Sequence, residues 1–231
     1  MNIVFYGNEN DTKAVKIKKN IFNKFKVEEE YSFDKIFSIN LKNKNINVLV
    51  EGEELFIKVI SIPKVKKNQI SSLVKNEVTL RYGDKVMFKY SVLEEKDNIF
   101  KIILYCFHEK KYSLLNDKRI GYSRNLKVEF LQNYVLKYYS KYIQEEKYKM
   151  IFQYKNFIYF IKVNKENLLF NKVMKITDTE KINKLLDEFI KDNKTIYHFN
   201  SNNIEKLTKG KNVVELLPLT VDQVIKFAIA R

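Results

Sequence analysis

The sequence predicts an α/β fold in two lobes, with a β-α-β-β block set between strand-rich segments. Three observations predict it. Short β-branched and aromatic runs open each half, apolar spacing switches to the helical period between them, and pieces of the first half recur in the second. An apolar content of 45% is ample for a packed core, so global disorder is excluded. No apolar run approaches the roughly 18 residues that a membrane-spanning helix needs, which points to a soluble chain.

The opening runs lie at residues 3–6, 14–17, 21–27, 36–41, 46–50 and 55–60, separated by Asn, Gly and charged residues as in hairpins. Pro63 closes them. Ile70, Leu73, Val74 and Val78 then share one helical face, predicting a helix over 68–80. Gly83 and Asp84 punctuate the chain before strands at 86–93 and 99–107, with a turn at 94–98. A short helix over 109–117 and a strand near 126–129 follow. Leu131, Tyr134, Val135, Tyr138, Tyr139 and Tyr142 repeat at helical spacing and read as a core face whose hydroxyls reach the rim.

The second half repeats the style of the first. Strands are expected at 150–154, 157–163 and 168–173, then a helix marked by Ile182, Leu185, Leu186, Phe189 and Ile190. Strands at 195–199 and 213–216 lead to a final helix over 221–230, with Thr220 as its N-cap. Val15-Lys16-Ile17 answers to Ile161-Lys162-Val163, and Phe22-Asn23-Lys24 to Phe170-Asn171-Lys172. Three strands repeated at the start of each half suggest two similar lobes.

Composition narrows the function. One cysteine, Cys106, can form no internal disulfide, and the first residues lack a secretory signal pattern, so a cytoplasmic location is expected. Five glycines in 231 residues leave little for Gly-rich phosphate loops. The formal charge of +15 invites a nucleic-acid reading, but the lysines are spread along the whole chain rather than gathered on one element. Cys106 and His108 share a strand face but are too few for a metal site, and they read as a buried thiol beside a rim imidazole. The acidic runs Glu28-Glu29-Glu30, Glu51-Gly52-Glu53-Glu54 and Glu94-Glu95 read as solvated turns and strand ends.

Several stretches carry a family resemblance. Ile60-Ser61-Ile62-Pro63-Lys64-Val65, Val74-Lys75-Asn76-Glu77-Val78, Phe88-Lys89-Tyr90-Ser91-Val92-Leu93 and Lys101-Ile102-Ile103-Leu104 resemble the inserted subdomain of the PilM family. Residues 3–17 and 151–176 resemble that family's two phosphate-loop hairpins. PilM proteins are actin-like components of type IV pilus assembly, and the cytoplasmic portion of GspL in type II secretion is a related, more degenerate version. The resemblance implies a degenerate actin-like (ribonuclease H-like) two-lobe fold with an inserted β-α-β-β subdomain. Its implied divisions are 1–60 with 119–147 for the first lobe, 61–118 for the insert and 148–231 for a truncated second lobe.

Departures from the family pattern fall on the nucleotide loops. In the first, Gly7 and Lys13 are kept, but Phe5 stands where the pattern has a metal-holding Asp, and a phenyl ring cannot organise a magnesium hydration shell. Asp11 would replace that acid only after a register shift. The second loop reads Gln153-Tyr154-Lys155 followed by bulky residues, and the late Gly-Gly turn corresponds to Asn200-Ser201. The resemblance, so altered, implies no enzymatic activity, no cofactor and no metal.

The expected role is a cytoplasmic scaffold, peripheral to the inner face of the cell membrane, in a pilus or secretion assembly platform. Its implied partner is the short N-terminal peptide of a PilN-like membrane protein, held between the first lobe and the insert, with Ile62, Leu73, Val74 and Val92 as candidate contacts. An assembly ATPase or platform protein is a further implied partner. Two other classes stay open at this point: an actin-like ATPase with an unorthodox site, and a basic nucleic-acid-binding protein.

Overall fold

The computed structural model describes residues 2–8, 11–19, 25–108, 112–191, 194–200, 212–221 and 223–225. The chain divides into two compact units, residues 1–53 with 117–231, and residues 54–116.

The larger unit holds two five-stranded sheets. The first contains β1 (Asn2–Gly7), β2 (Lys13–Lys19), β3 (Phe25–Tyr31), β4 (Asn45–Val50) and β8 (Asn125–Phe130), in the order β3-β2-β1-β4-β8. The second contains β9 (Lys147–Tyr154), β10 (Phe157–Asn164), β11 (Asn167–Lys175), β12 (Ile196–Phe199) and β13 (Val213–Glu215), in the order β11-β10-β9-β12-β13. In each sheet three antiparallel strands continue into two parallel ones.

The recurrence seen in the sequence therefore has a topological basis. It extends to an irregularity: the pairing of β2 with β3 shifts register between Lys16 and Ile17, and that of β10 with β11 between Lys162 and Val163. These are the echoed residues. An extra residue on one strand strengthens local twist, so the same bulge curls both sheets at the same place. Residues 22–24, the other half of the echo, lie outside the described residues.

Central strands are apolar nearly throughout because both faces are covered. In β9, Tyr148, Met150, Ile151, Phe152 and Tyr154 are buried, and in β10 Ile158 to Ile161 are. The helix α4 (Thr179–Ile190) lays Ile182, Leu186 and Phe189 on Ile151, Ile158, Phe160, Met174 and Ile196. In α3 (Leu131–Tyr139), Leu131, Tyr134, Val135, Leu136 and Tyr139 are buried, while Tyr142, beyond the helix end, is exposed. The tyrosine stripe is thus mainly core. Thr220 Oγ1 accepts from the Gln223 amide at 3.3 Å, while Gln223 Oε1 accepts from the Thr220 amide at 2.8 Å. This reciprocal cap opens a helical turn that is described to residue 225.

Two elements differ from the expectation. The helix expected over 109–117 is, among the described residues, a single 3-10 turn at Ser113–Asn116, with residues 109–111 outside them. Residues 36–41 form no strand. The chain turns through α1 (Phe33–Ile36) and then bends, with Ile36, Ile39 and Leu41 buried one by one rather than in strand alternation. Arg119 fixes this bend by donating to the Phe37 and Ile39 carbonyls while its guanidinium grips Asp117.

The smaller unit has β-α-β-β order: β5 (Phe56–Pro63), α2 (Lys67–Tyr82), β6 (Val86–Lys96) and β7 (Ile99–His108), with β7 central and antiparallel to both neighbours. Ile70, Val74 and Val78 of α2 pack on Ile60, Ile62, Phe100, Ile102, Leu104 and Cys106. Gln69 Oε1 accepts from the Lys66 amide at 3.2 Å, which satisfies an otherwise open donor at the helix start. Cys106 is a free, buried thiol and His108 is exposed.

Candidate functional site

In the larger unit, the ends of β4 and of the β9–β10 hairpin meet beside the end of β1. Val50 pairs with Gly7 at the end of β4, and Glu51 follows, its amide donating to the Gly7 carbonyl at 2.8 Å. Glu51 is 1% exposed. The turn of the second hairpin, Lys155-Asn156, brings its ammonium to the carboxylate: Lys155 Nζ donates to Glu51 Oε2 at 2.5 Å. The same ammonium lies 5.1 Å from the ring centre of Tyr6 and 5.6 Å from that of Tyr154. One acid and two aromatic faces thus surround one cation.

Backbone shape makes this approach possible. Gly52 has φ +73°, and a Cβ there would lie 2.6 Å from the Phe157 ring. Its amide donates to the Tyr159 hydroxyl at 2.6 Å. Gly7 has φ +137°, and a Cβ there would lie 2.1 Å from the Asp11 carbonyl oxygen. Two hydrogen bonds link the described residues after Gly7: Asn8 Oδ1 accepts from the Asp11 amide at 3.0 Å, and Thr12 Oγ1 donates to the Asn8 carbonyl at 2.7 Å.

The electrostatics follow from burial. Burial pushes the Glu51 carboxyl above the usual carboxylate range, against the pull of Lys155, and Asp11 adds to the rise. Burial, with Glu51 nearby, drives the Tyr154 phenol far up. The Tyr159 phenol rises for the same first reason, although the Gly52 amide opposes it. Both shifts favour the neutral phenol.

A second set of contacts joins the two sheets. Gln132 of α3, fully buried, donates to the Glu53 carbonyl at 3.1 Å and to Asn171 Oδ1 of β11 at 3.3 Å. The rings of Tyr159, Phe152, Phe199 and Tyr139 run in series with centroid separations of 4.6, 4.9 and 4.9 Å, from β10 across β9 and β12 to α3. Tyr139 ends the series by donating to the Leu217 carbonyl at 2.5 Å.

Of the residues singled out in sequence, the structure brings Gly7 and Lys155 together through Glu51. Phe5 is fully buried within β1, between Ala14 and Val48. Lys13 opens β2 with an exposed side chain, and Gln153 donates to the Lys155 carbonyl at 3.4 Å. Asn200, with φ 52°, follows β12, and Ser201 lies outside the described residues. In the smaller unit, Ile62 and Val74 are core, Leu73 packs against that core half-buried, and Val92 is 44% exposed.

The acid missed by sequence reasoning is Glu51. The run Glu51-Gly52-Glu53-Glu54 is not a solvated edge at its first member, because Glu51 directly follows a buried inner strand. That position was the available signal: residues just past the carboxyl ends of parallel strands point at the functional face of an α/β sheet.

No family model and no curated protein matches the sequence. Solved structures do. A Bacteroides thetaiotaomicron protein of unknown function with an actin-like ATPase fold superposes with a TM-score of 0.55 at 13% identity, over 100% of this chain and 96% of that one. The PilM–PilN type IV pilus biogenesis complex gives 0.58 at 9% identity, over 99% and 96%. The chain has an actin-like fold. A more distant likeness, TM-score 0.48 at 11% identity over 98% and 92%, is to the cytoplasmic domain of EpsL, an inner-membrane component of the Vibrio cholerae type II secretion system.

An actin-like fold raises the question of a metal-bound nucleotide where the hairpins meet, and the described residues there do not fit one. The buried acid already holds an ammonium, and the Phe157 ring stands against the Gly52 backbone. Among the described residues no group of three or more His, Cys, Asp or Glu could hold a metal ion, and no helix is long and apolar enough to cross a membrane.

Proposed function

We propose that the chain is a non-enzymatic scaffold of a type IV pilus or related type II secretion assembly platform at the inner membrane, and that it docks the cytoplasmic N-terminal segment of a PilN-like membrane protein. One observation carries the non-enzymatic part: the Lys155–Glu51 pair, with Phe157 against Gly52, fills the place where the hairpins face each other. On this reading Phe5, Gly7, Lys13, Gln153, Lys155, Asn200 and Ser201 are remnants of nucleotide loops. The docking part is supported by likeness along nearly the whole chain to a protein solved with PilN.

For the docking surface the proposal keeps Val92 and Leu73 as contacts and assigns Ile62 and Val74 to the core beneath them. An extended segment gains affinity from main-chain hydrogen bonds and a few apolar anchors. A charge of +15 suits a site beside anionic headgroups. The test is fluorescence anisotropy with a labelled peptide copying the cytoplasmic N-terminus of a PilN protein. Saturable binding weakened about tenfold by Val92→Asp is expected; absence of saturable binding overturns the docking role.

A further inference from the structure

We propose that Glu51, Tyr6 and Tyr154 form a cage for a primary ammonium, that Lys155 is its resident occupant, and that this occupancy ties the two sheets of the larger unit together without any ligand. The cage draws on elements distant in sequence: Tyr6 from β1, Glu51 from the end of β4, and Tyr154 from β9, with the cation coming from the turn after β9. The carboxylate is 1% exposed, so it was removed from water for a partner that stays. The Tyr154 hydroxyl also acts on this carboxylate: it pulls the Glu51 carboxyl down, while Glu51 pushes the phenol up.

A charged group this deeply buried is retained only when its counter-charge is held in place. Here the counter-charge is covalently tethered. Two electron-rich rings about 5–6 Å away favour an organic ammonium over a small hydrated metal ion, because ring faces attract weakly hydrated cations best. The cage is independent of the docking proposed above: either can fail while the other holds.

Chemical rescue tests it. Lys155→Ala empties the cage, and its melting temperature is expected to rise by about 2–4 °C in ethylammonium chloride relative to sodium chloride of equal ionic strength. Wild type and the double variant Lys155→Ala with Glu51→Gln should show no such difference. Equal behaviour of Lys155→Ala in the two salts, or rescue that persists in the double variant, overturns the proposal.

Lys155→Met, which keeps the stem and loses the charge, covers the case in which the alanine variant does not fold. It should melt below wild type and regain temperature when Glu51→Gln is added. A methionine variant as stable as wild type, or one that gains nothing from the glutamine, would also overturn the cage.

Discussion

The two five-stranded sheets share strand order, strand sense and a bulge at matching positions, yet their leading hairpins end differently. The first pairs no further than Tyr6 with Lys13, and among the described residues of its loop Asn8 accepts from Asp11 and Thr12. The second pairs out to Tyr154 with Phe157, and its turn sends Lys155 across to Glu51. Shared topology fixes where two hairpin tips meet. Side chains decide what happens there, and here the second tip reaches over to an acid of the first sheet.

The cores differ as well. Phe152 lies stacked between Tyr159 and Phe199, with interplanar angles of 6° to each. Phe5, equally buried, has aliphatic strand partners in Ala14 and Val48. Phe152→Ala should therefore be the most damaging change, at about 4 kcal/mol, and exceed Phe5→Ala by about 1 kcal/mol for the lost ring stacking. Urea unfolding of both variants measures this; equal losses would erase the contrast between the cores.

Next in size is Gly52→Ala. Its φ of +73° and the Phe157 ring 2.6 Å from the new Cβ should together cost roughly 3 kcal/mol. Adding Phe157→Ala relieves the clash but not the backbone strain, so the double variant should cost less than the sum of its single losses.

Lys155→Met should cost about 2–3 kcal/mol near pH 7.5, because it leaves the Glu51 carboxylate buried and unpaired. The pH dependence has a definite sign. Burial already raises the folded-state value of Glu51, and removing Lys155 takes away the main opposing pull. A carboxyl raised on folding favours the folded state below its unfolded value and loses that advantage as pH rises through the folded value. The deficit of the methionine variant should thus be largest in alkali and shrink toward pH 5. A deficit independent of pH would mean that lost packing, not charge, is responsible.

The smallest effect compares two helices. Helix α3 starts straight from strand β8, and its N-cap, Phe130, makes no side-chain cap. The last helical turn begins with the reciprocal Thr220–Gln223 cap. Thr220→Ala should cost about 1 kcal/mol by thermal melting, whereas Phe130→Ser should lose more in packing than its new hydroxyl returns.

Sequence periodicity located the regular elements because each buries one face or both. Ile70, Val74 and Val78, or Ile182, Leu186 and Phe189, announce their helices by spacing alone. The echo at Lys16-Ile17 and Lys162-Val163 was legible because a shared bulge constrains the same side chains in both copies. Residues 36–41 misled because Ile36, Ile39 and Leu41 are apolar without forming a ladder, each filling a separate gap in a bend. The site was the least legible part. Glu51 and Lys155 are separated by 104 positions, and nothing local to either marks them as partners. A carboxylate in an acidic run looks solvated until the fold shows that its strand end is covered.

Isothermal titration of the unmodified chain with magnesium ATP bears most directly on the central claim, that the chain's own ammonium and rings fill the meeting point of the hairpins. No saturable heat up to millimolar nucleotide is the predicted result. Stoichiometric binding at micromolar concentration would show that the place is open, and would contradict the account.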